Sequence, residues 1–136
     1  MSRPVPFEHP VNIRYLEVDQ QGVVFNMWYL AYFDDAFTAF LGAGGLPYTA
    51  MLEAGFDAQL VHTELDWRGP LRYGDQAAVE VHVSSIGETS FTLRFVAVSG
   101  DHVVAEASTV YVAVRTDGSG KCPLPPAVLA ALGPVS

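Results

Sequence analysis

The sequence predicts an α+β fold in which one antiparallel sheet of five strands wraps around a single long helix. Residues 29–41 repeat aromatic and apolar side chains at helical spacing. Residues 56–115 instead contain four strand-like runs separated by glycine turns. Because the helix is too apolar to face water, it must be buried against the sheet.

The N-terminal elements are predicted from the positions of turn-forming and helix-ending residues. A first strand is expected over Val5 to Leu16, before a turn at Asp19. The long helix should begin at about Asn26 to Tyr29 and end near Leu41, where a glycine cluster stops it. A short second helix is expected between Pro47 and Ala54.

The C-terminal half is predicted to contain four strands and a terminal helix. The dipeptides Gly74-Asp75, Gly87-Glu88 and Gly100-Asp101 are typical of hairpin turns, which favours an antiparallel meander. A terminal helix that begins with proline is expected after the last strand. The predicted bounds are Phe56 to Arg68, Gln76 to Ile86, Ser90 to Ser99 and His102 to Arg115 for the strands, and Pro123 to Leu132 for the helix.

The aromatic stripe of the long helix is interpreted as core and not as a cofactor site. Apolar residues at helical spacing need no function to explain them. The residues of this stripe are Tyr29, Tyr32, Phe33, Ala36, Phe37 and Phe40.

Composition limits the classes of partner. The 136 residues fit one domain, 1–136, and a hydrophobic content of 50% with 16% charged residues leaves apolar surface that a second subunit could cover. A net charge of −8 argues against nucleic acid or anionic membranes as partners.

Neither a signal segment within Met1 to Pro10 nor a membrane-spanning run is evident, so cytoplasmic residence is expected.

Metal and disulfide chemistry are not expected. Cys122 is the single cysteine, so it cannot form an intrachain disulfide or a cysteine-based zinc site. His9, His82 and His102 fall on separate predicted elements without ligand spacing. We therefore expect neither a metal nor another cofactor.

Asp19 is the main candidate for chemistry. It follows a predicted extended segment and stands three residues before Gly22, just ahead of the long helix. A helix N-terminus presents unpaired backbone N–H groups that can hold a carbonyl oxygen as negative charge develops on it. A neighbouring carboxylate could attack that carbonyl or activate a water, so the segment suits acyl transfer.

The order of several short motifs resembles one known family. The motifs are Glu17-Val18-Asp19, Gly22-Val23-Val24, Tyr29 with Asp34 and Ala36, Gly45-Leu46-Pro47, Pro70-Leu71-Arg72-Tyr73-Gly74-Asp75, Ile86-Gly87-Glu88-Thr89-Ser90 and Leu124-Pro125. Together they resemble the hotdog-fold acyl-CoA thioesterases of the 4-hydroxybenzoyl-CoA thioesterase type, and they span nearly the whole chain.

The resemblance implies a sheet wrapped around the helix and two subunits paired through a continuous sheet, as a homodimer or as a homotetramer made of two dimers. It implies active sites at the subunit boundary. Asp19 would be the catalytic carboxylate, and the backbone N–H of Asn26 would polarise the thioester carbonyl. Asn26 stands where several relatives carry histidine or tyrosine, but a backbone donor survives a change of side chain. Asn26 could also be the helix N-cap, which is compatible with the oxyanion role because both use neighbouring N–H groups.

Further residues are candidates for binding an acyl-CoA substrate. Gly22 permits the turn and close approach of an acyl chain, while Val24 and Tyr29 could line the acyl pocket or belong to ordinary core. Arg68 and Arg72 could bind the CoA phosphates, or be solvated turn residues. His62 is also a candidate, although its alternation along the strand needs no catalytic purpose.

The sequence therefore predicts a thioester hydrolase that acts on acyl-CoA, with Asp19 as nucleophile or general base. Two alternatives remain open: a non-catalytic acyl-CoA-binding or assembly subunit, and a hotdog-fold dehydratase. A dehydratase would ordinarily place a histidine close to the aspartate, and no histidine follows Asp19 before His62.

Overall fold

Five main strands form one antiparallel sheet in the computed structural model, which describes residues 3–136. The strand order is β1-β3-β4-β5-β2, and a two-residue strand β6 pairs with β5. This arrangement confirms the predicted α+β fold. The strands are β1 Phe7–Val11, β2 Phe56–Trp67, β3 Ala77–Ile86, β4 Ser90–Ser99, β5 His102–Arg115 and β6 Gly120–Lys121.

The long helix lies against this sheet through its aromatic stripe. Its bounds, with those of the other helices, are α1 Trp28–Ala43, α2 Tyr48–Glu53 and α3 Pro126–Leu132. Phe33 stacks on Phe95 of β4 at a ring-centroid distance of 5.3 Å, and Phe37 stacks on Tyr111 of β5 at 4.2 Å. Burial of each such ring contributes about 1.5–3 kcal/mol, so the stripe is core, as predicted.

The first strand is shorter than predicted. β1 ends at Val11, and the chain then forms one 3₁₀ turn at Tyr15–Glu17. The Glu17 carboxylate accepts a hydrogen bond from the backbone N–H of Arg14 at 3.0 Å and another from Arg14 Nε at 2.7 Å. These local side-chain bonds give the backbone an alternative to the sheet, and the prediction of a strand to Leu16 was wrong for that reason.

The predicted meander holds for three strands and fails for one. β3, β4 and β5 are consecutive neighbours, but β2 pairs with β5 and not with β3. The turn at Gly74-Asp75 is therefore no hairpin and belongs to a longer connection between β2 and β3. This connection is held against the segment that precedes α1, because Leu71 O accepts the backbone N–H of Val24 at 2.7 Å.

Strand β2 occupies one edge of the sheet, and none of its twelve residues is buried. The pairing with β5 shifts register between Leu60 and His62, which leaves Val61 in a bulge. The site described below lies at the end of this strand, beside the start of α1.

Candidate active site

The loop at Asp19 is a small closed turn. We name residues 18–24 the Asp19 loop. Val18 and Val24 form a β-bridge across its base, and the Asp19 N–H donates to Val23 O at 2.9 Å. The Gly22 N–H donates to Asp19 O at 2.9 Å, and Gly22 has a φ of 77°. Glycine adopts this left-handed backbone without the penalty that other residues incur, which confirms the predicted role of Gly22 in the turn.

The Asp19 carboxylate is half-buried and only partly engaged. Oδ1 accepts the backbone N–H of Gln21 at 2.8 Å, an arrangement that aspartate often makes in turns. Among residues 3–136 no other hydrogen bond reaches this carboxylate. Its second oxygen is therefore available to a substrate or a water.

A cavity of about 790 Å³ opens beside this carboxylate. We name it the Asp19 cavity. Its size is in the range of sites for small molecules and cofactors, about 300–1,000 Å³. It is lined by Asp19, Gln20, Gln21, Val23, Val24, Phe25, Asn26, Tyr29, Trp67, Gly69 and Pro70.

Asn26 lies in this cavity wall, two residues before α1. The helix N-cap is Met27, which makes no side-chain capping bond, so the alternative reading of Asn26 as the N-cap was wrong. Among residues 3–136 the Asn26 N–H has no hydrogen-bond acceptor. Asn26 O accepts the indole N–H of Trp67 at 3.1 Å, which joins the entry of α1 to the end of β2.

Val24 and Tyr29 form the apolar floor of the same cavity. Val24 and Tyr29 are both buried, with exposed fractions of 4% and 2%. Burial raises the pKa of Tyr29, and the backbone of Leu71 beside the phenol opposes part of that shift. The phenol stays neutral near pH 7, so these two side chains present a largely uncharged surface to the cavity.

Glu17 is the residue that sequence reasoning missed. Its side chain is buried, yet it keeps three hydrogen bonds: two from Arg14 and one of 2.6 Å from the Tyr32 hydroxyl of α1. The Glu17 carbonyl also accepts the backbone N–H of Phe25 at 2.9 Å. Glu17 thus ties its end of the Asp19 loop to α1 and, through Phe25, holds the two ends of the loop together. The available signal was the Glu17-Val18-Asp19 motif, in which an acidic residue stands two positions before Asp19.

Four predicted substrate contacts do not line the Asp19 cavity: Gly22, which forms the turn beside it, and three residues that lie farther away. His62 is exposed on β2 and its Nε2 lies 3.3 Å from Glu64 Oε1, so the structure does not bring it to Asp19. Arg68 and Arg72 line a second cavity of about 370 Å³, which we name the rim cavity. It is lined by Arg68, Gly69, Pro70, Arg72, Asp75, Ser99, His102, Val103 and Val104.

The described residues contain neither a metal-binding cluster nor a membrane-spanning helix. Within residues 3–136 no three His, Cys, Asp or Glu side chains are grouped so that they could hold a metal ion. No helix in that range is both long and apolar enough to cross a membrane.

Known proteins share this fold and sequence pattern. The sequence model of the Thioesterase-like superfamily matches residues 13–132. The crystal structure of a hypothetical protein from Aquifex aeolicus superimposes with a TM-score of 0.89 at 28% identity, covering 94% of this chain and 100% of that chain. A 1,4-dihydroxy-2-naphthoyl-CoA hydrolase of Synechococcus elongatus is 24% identical over 115 residues, which is 83% of this chain and 85% of that protein.

A second solved structure agrees in fold. The crystal structure of a 1,4-dihydroxy-2-naphthoyl-CoA thioesterase from Synechocystis has a TM-score of 0.84 at 22% identity, with 93% of this chain and 94% of that chain covered. These likenesses confirm the hotdog architecture predicted from the ordered motifs.

Proposed function

Because this chain belongs to the Thioesterase-like superfamily, we propose that it hydrolyses an acyl-CoA thioester to the free acid and CoA. Membership confirms the predicted enzyme class, a thioester hydrolase. The observation that carries the proposal is a shared cavity: it is lined both by Asp19 and by Asn26, whose backbone N–H has no acceptor among residues 3–136.

Asp19 supplies the reactive oxygen in either of two ways. As a nucleophile, its carboxylate attacks the thioester carbonyl, the C–S bond breaks, and water then cleaves the resulting anhydride. As a general base, it takes a proton from a water that attacks the same carbon. Both routes release the CoA thiol and consume one water, and neither requires a metal or another cofactor.

Asn26 stabilises the charge that develops on the carbonyl oxygen. Its N–H lies at the entry to α1, where the helix dipole favours negative charge. The Trp67 indole N–H donates to the carbonyl of Asn26, which belongs to the next peptide unit, and so holds the backbone on the α1 side of this N–H. A single oxyanion donor contributes about 10²–10³ in rate, and a positioned carboxylate about 10²–10⁴.

The substrate is proposed to span both cavities. Val24 and Tyr29 line the cavity at the acyl end, and Gly22 forms the turn beside it. Arg68 and Arg72 line the rim cavity, where the CoA end would emerge. A hydroxylated aromatic acyl group is the first candidate, because the relative from Synechococcus elongatus is named for one. His62 stays a predicted contact without support from the geometry. A homodimer, or a homotetramer of two dimers, is the proposed assembly.

The alternatives differ in a measurable way. No histidine is among the residues that line the Asp19 cavity, which disfavours a dehydratase. A non-catalytic acyl-CoA-binding or assembly subunit would bind acyl-CoA without releasing thiol.

The test follows free thiol from a panel of short, medium, long and aromatic acyl-CoAs. Asp19→Asn keeps the side-chain shape and an oxygen for the Gln21 N–H, but it loses the charged oxygen. We expect at least about a 10²-fold loss in kcat, with folding and substrate binding nearly intact. Thiol release by this variant at the wild-type rate would show that Asp19 has no catalytic role. A wild type that binds acyl-CoA without releasing thiol would favour the non-catalytic binding subunit.

A further inference from the structure

The Asp19 cavity and the rim cavity share a wall. Gly69 and Pro70 contribute to both cavities, so the short segment after β2 separates them. A ligand whose reactive end lies at Asp19 and whose remainder passes this segment reaches the rim cavity next. The side chains of the rim cavity therefore decide which chemical groups the distal end of such a ligand can carry.

Arg68 is already engaged on one side of the rim cavity. Its Nε donates to Glu106 Oε2 at 2.6 Å, and Arg94 donates to Glu106 Oε1 at 3.2 Å. The hydrogen bond from Arg68 is the largest influence that lowers the pKa of Glu106, and Arg94 adds to it. Two guanidinium groups share one carboxylate, so this trio retains a net positive charge.

Arg72 and His102 are the free cationic or basic groups of the rim cavity. Both residues are exposed, and among residues 3–136 neither side chain has a hydrogen-bond or ion-pair partner. Asp75 is the acidic residue in the lining, and its Oδ2 accepts the Arg72 backbone N–H at 2.8 Å. That bond holds the turn through the Arg72 backbone and leaves the Arg72 guanidinium available to a ligand. A second acidic residue, Asp101, precedes His102 in the sequence.

Building on the acyl-CoA substrate proposed above, we infer that the rim cavity binds CoA phosphate groups through the Arg72 guanidinium and the His102 imidazole. A guanidinium presents two parallel N–H donors that match phosphate oxygens, and an imidazole adds a further N–H donor. Arg68 contributes charge from its fixed position on Glu106. On a protein of net charge −8, such a local cationic site is needed to offset general repulsion of a nucleotide.

The inference is tested by calorimetric titration of CoA into the wild type and the Arg72→Gln/His102→Gln double variant. A matched control, Arg115→Gln/Lys121→Gln, removes two basic groups from an exposed region outside both cavities. We expect the double variant to bind CoA at least about tenfold more weakly, because charge-assisted hydrogen bonds to phosphate are lost. The control should stay within about threefold of the wild type, because exposed charges at a distance are screened by salt.

A second measurement separates loss of phosphate contacts from loss of structure. Acyl-pantetheine carries the same thioester without the nucleotide, so its KM should be the same in the double variant and in the wild type. Equal losses on CoA and acyl-pantetheine, equal losses in the double variant and the control, or unchanged CoA binding would each overturn the inference.

The same experiment distinguishes this inference from the proposed hydrolysis. A wild type that binds CoA but releases no thiol from any acyl-CoA would overturn hydrolysis, and the calorimetric comparison would still decide the role of Arg72 and His102. A wild type that hydrolyses acyl-CoA while the double variant binds CoA normally would overturn the phosphate site alone. A wild type without affinity for CoA would overturn the phosphate site, and thiol release from acyl-CoA would still decide hydrolysis.

Discussion

The Tyr32 hydroxyl donates a hydrogen bond of 2.6 Å to Oε1 of Glu17, two residues before Asp19. The bond connects the first turns of α1 to the base of the Asp19 loop. Both partners are buried, so neither can exchange this contact for water without cost. The position of the Asp19 carboxylate thus depends on a residue in the helix core.

Tyr32→Phe removes the donor and leaves a buried carboxylate with fewer hydrogen bonds. We expect the free energy of unfolding to fall by about 1.5–3 kcal/mol, as for other bonds to charged groups. We also expect kcat to fall, because the Asp19 loop is held less firmly. Urea unfolding and thiol release measure the two effects.

The control is Tyr15→Phe, at a tyrosine that is 77% exposed, where the free energy of unfolding is expected to change by no more than about 0.5 kcal/mol. Equal stability of the two variants would contradict the role of the Tyr32 bond.

The Glu17 carboxylate makes stability sensitive to acid. Burial alone would raise its pKa, but the hydrogen bonds from Tyr32 and Arg14 and the charge of Arg14 together bring the pKa below its ordinary value. A group with a lower pKa when folded binds fewer protons in the folded state. Its contribution is complete above the unfolded pKa of about 4.3 and is lost as pH falls through the folded pKa.

Glu17→Gln should therefore differ most from the wild type near neutral pH. We expect the difference in free energy of unfolding to shrink as the pH falls from about 7 to below about 4. Glu53→Gln, at an exposed residue of α2 without a hydrogen bond among residues 3–136, should cost little at any pH. Denaturant titrations at several pH values measure both differences. A Glu17→Gln difference that grows on acidification would refute the assignment.

Gly22 and Gly42 should respond to alanine with opposite sign. A Cβ at either position meets no heavy atom within 4 Å, but Gly22 has a φ of 77° and Gly42 lies within α1. Gly22→Ala incurs left-handed backbone strain of about 1–2 kcal/mol and should also lower kcat by distorting the Asp19 loop. Gly42→Ala gains helix propensity and should stabilise by up to about 1 kcal/mol. Thermal unfolding gives the signs, and a stabilising Gly22→Ala would contradict the conformational argument.

Periodicity allowed the core stripe of α1 to be predicted, because Phe33 and Phe37 follow helical spacing wherever the sheet lies. It could not place β2 beside β5, since alternation shows which side chains share a face and not which strands are neighbours. The Asp19 loop was predictable from the local spacing of Asp19 and Gly22. The bond from Trp67 to Asn26 was not, because it joins residues 41 positions apart.

The edge strand β2 motivates the last prediction, that the smallest stable species is a dimer. Strands left unpaired at a sheet edge are usually covered or protected, yet β2 has no buried residue and exposes the apolar side chains of Leu60 and Val61. Val61 lies in the bulge, 52% exposed and without a register partner in β5. A second copy of the chain paired along β2 would cover both side chains.

Val61→Glu places a charge on this edge, and Val135→Glu makes the same change at a residue that is 56% exposed near the C-terminus. In a monomer both substitutions would be nearly neutral, within about 0.5 kcal/mol. In a dimer that pairs through β2, Val61→Glu should shift the population toward monomer and reduce thiol release, while Val135→Glu should do neither. Light scattering at micromolar concentration, with activity measured on the same samples, gives the answer. A fully active wild-type monomer would refute the dimer, and a Val61→Glu variant that remains dimeric would exclude this edge as the interface.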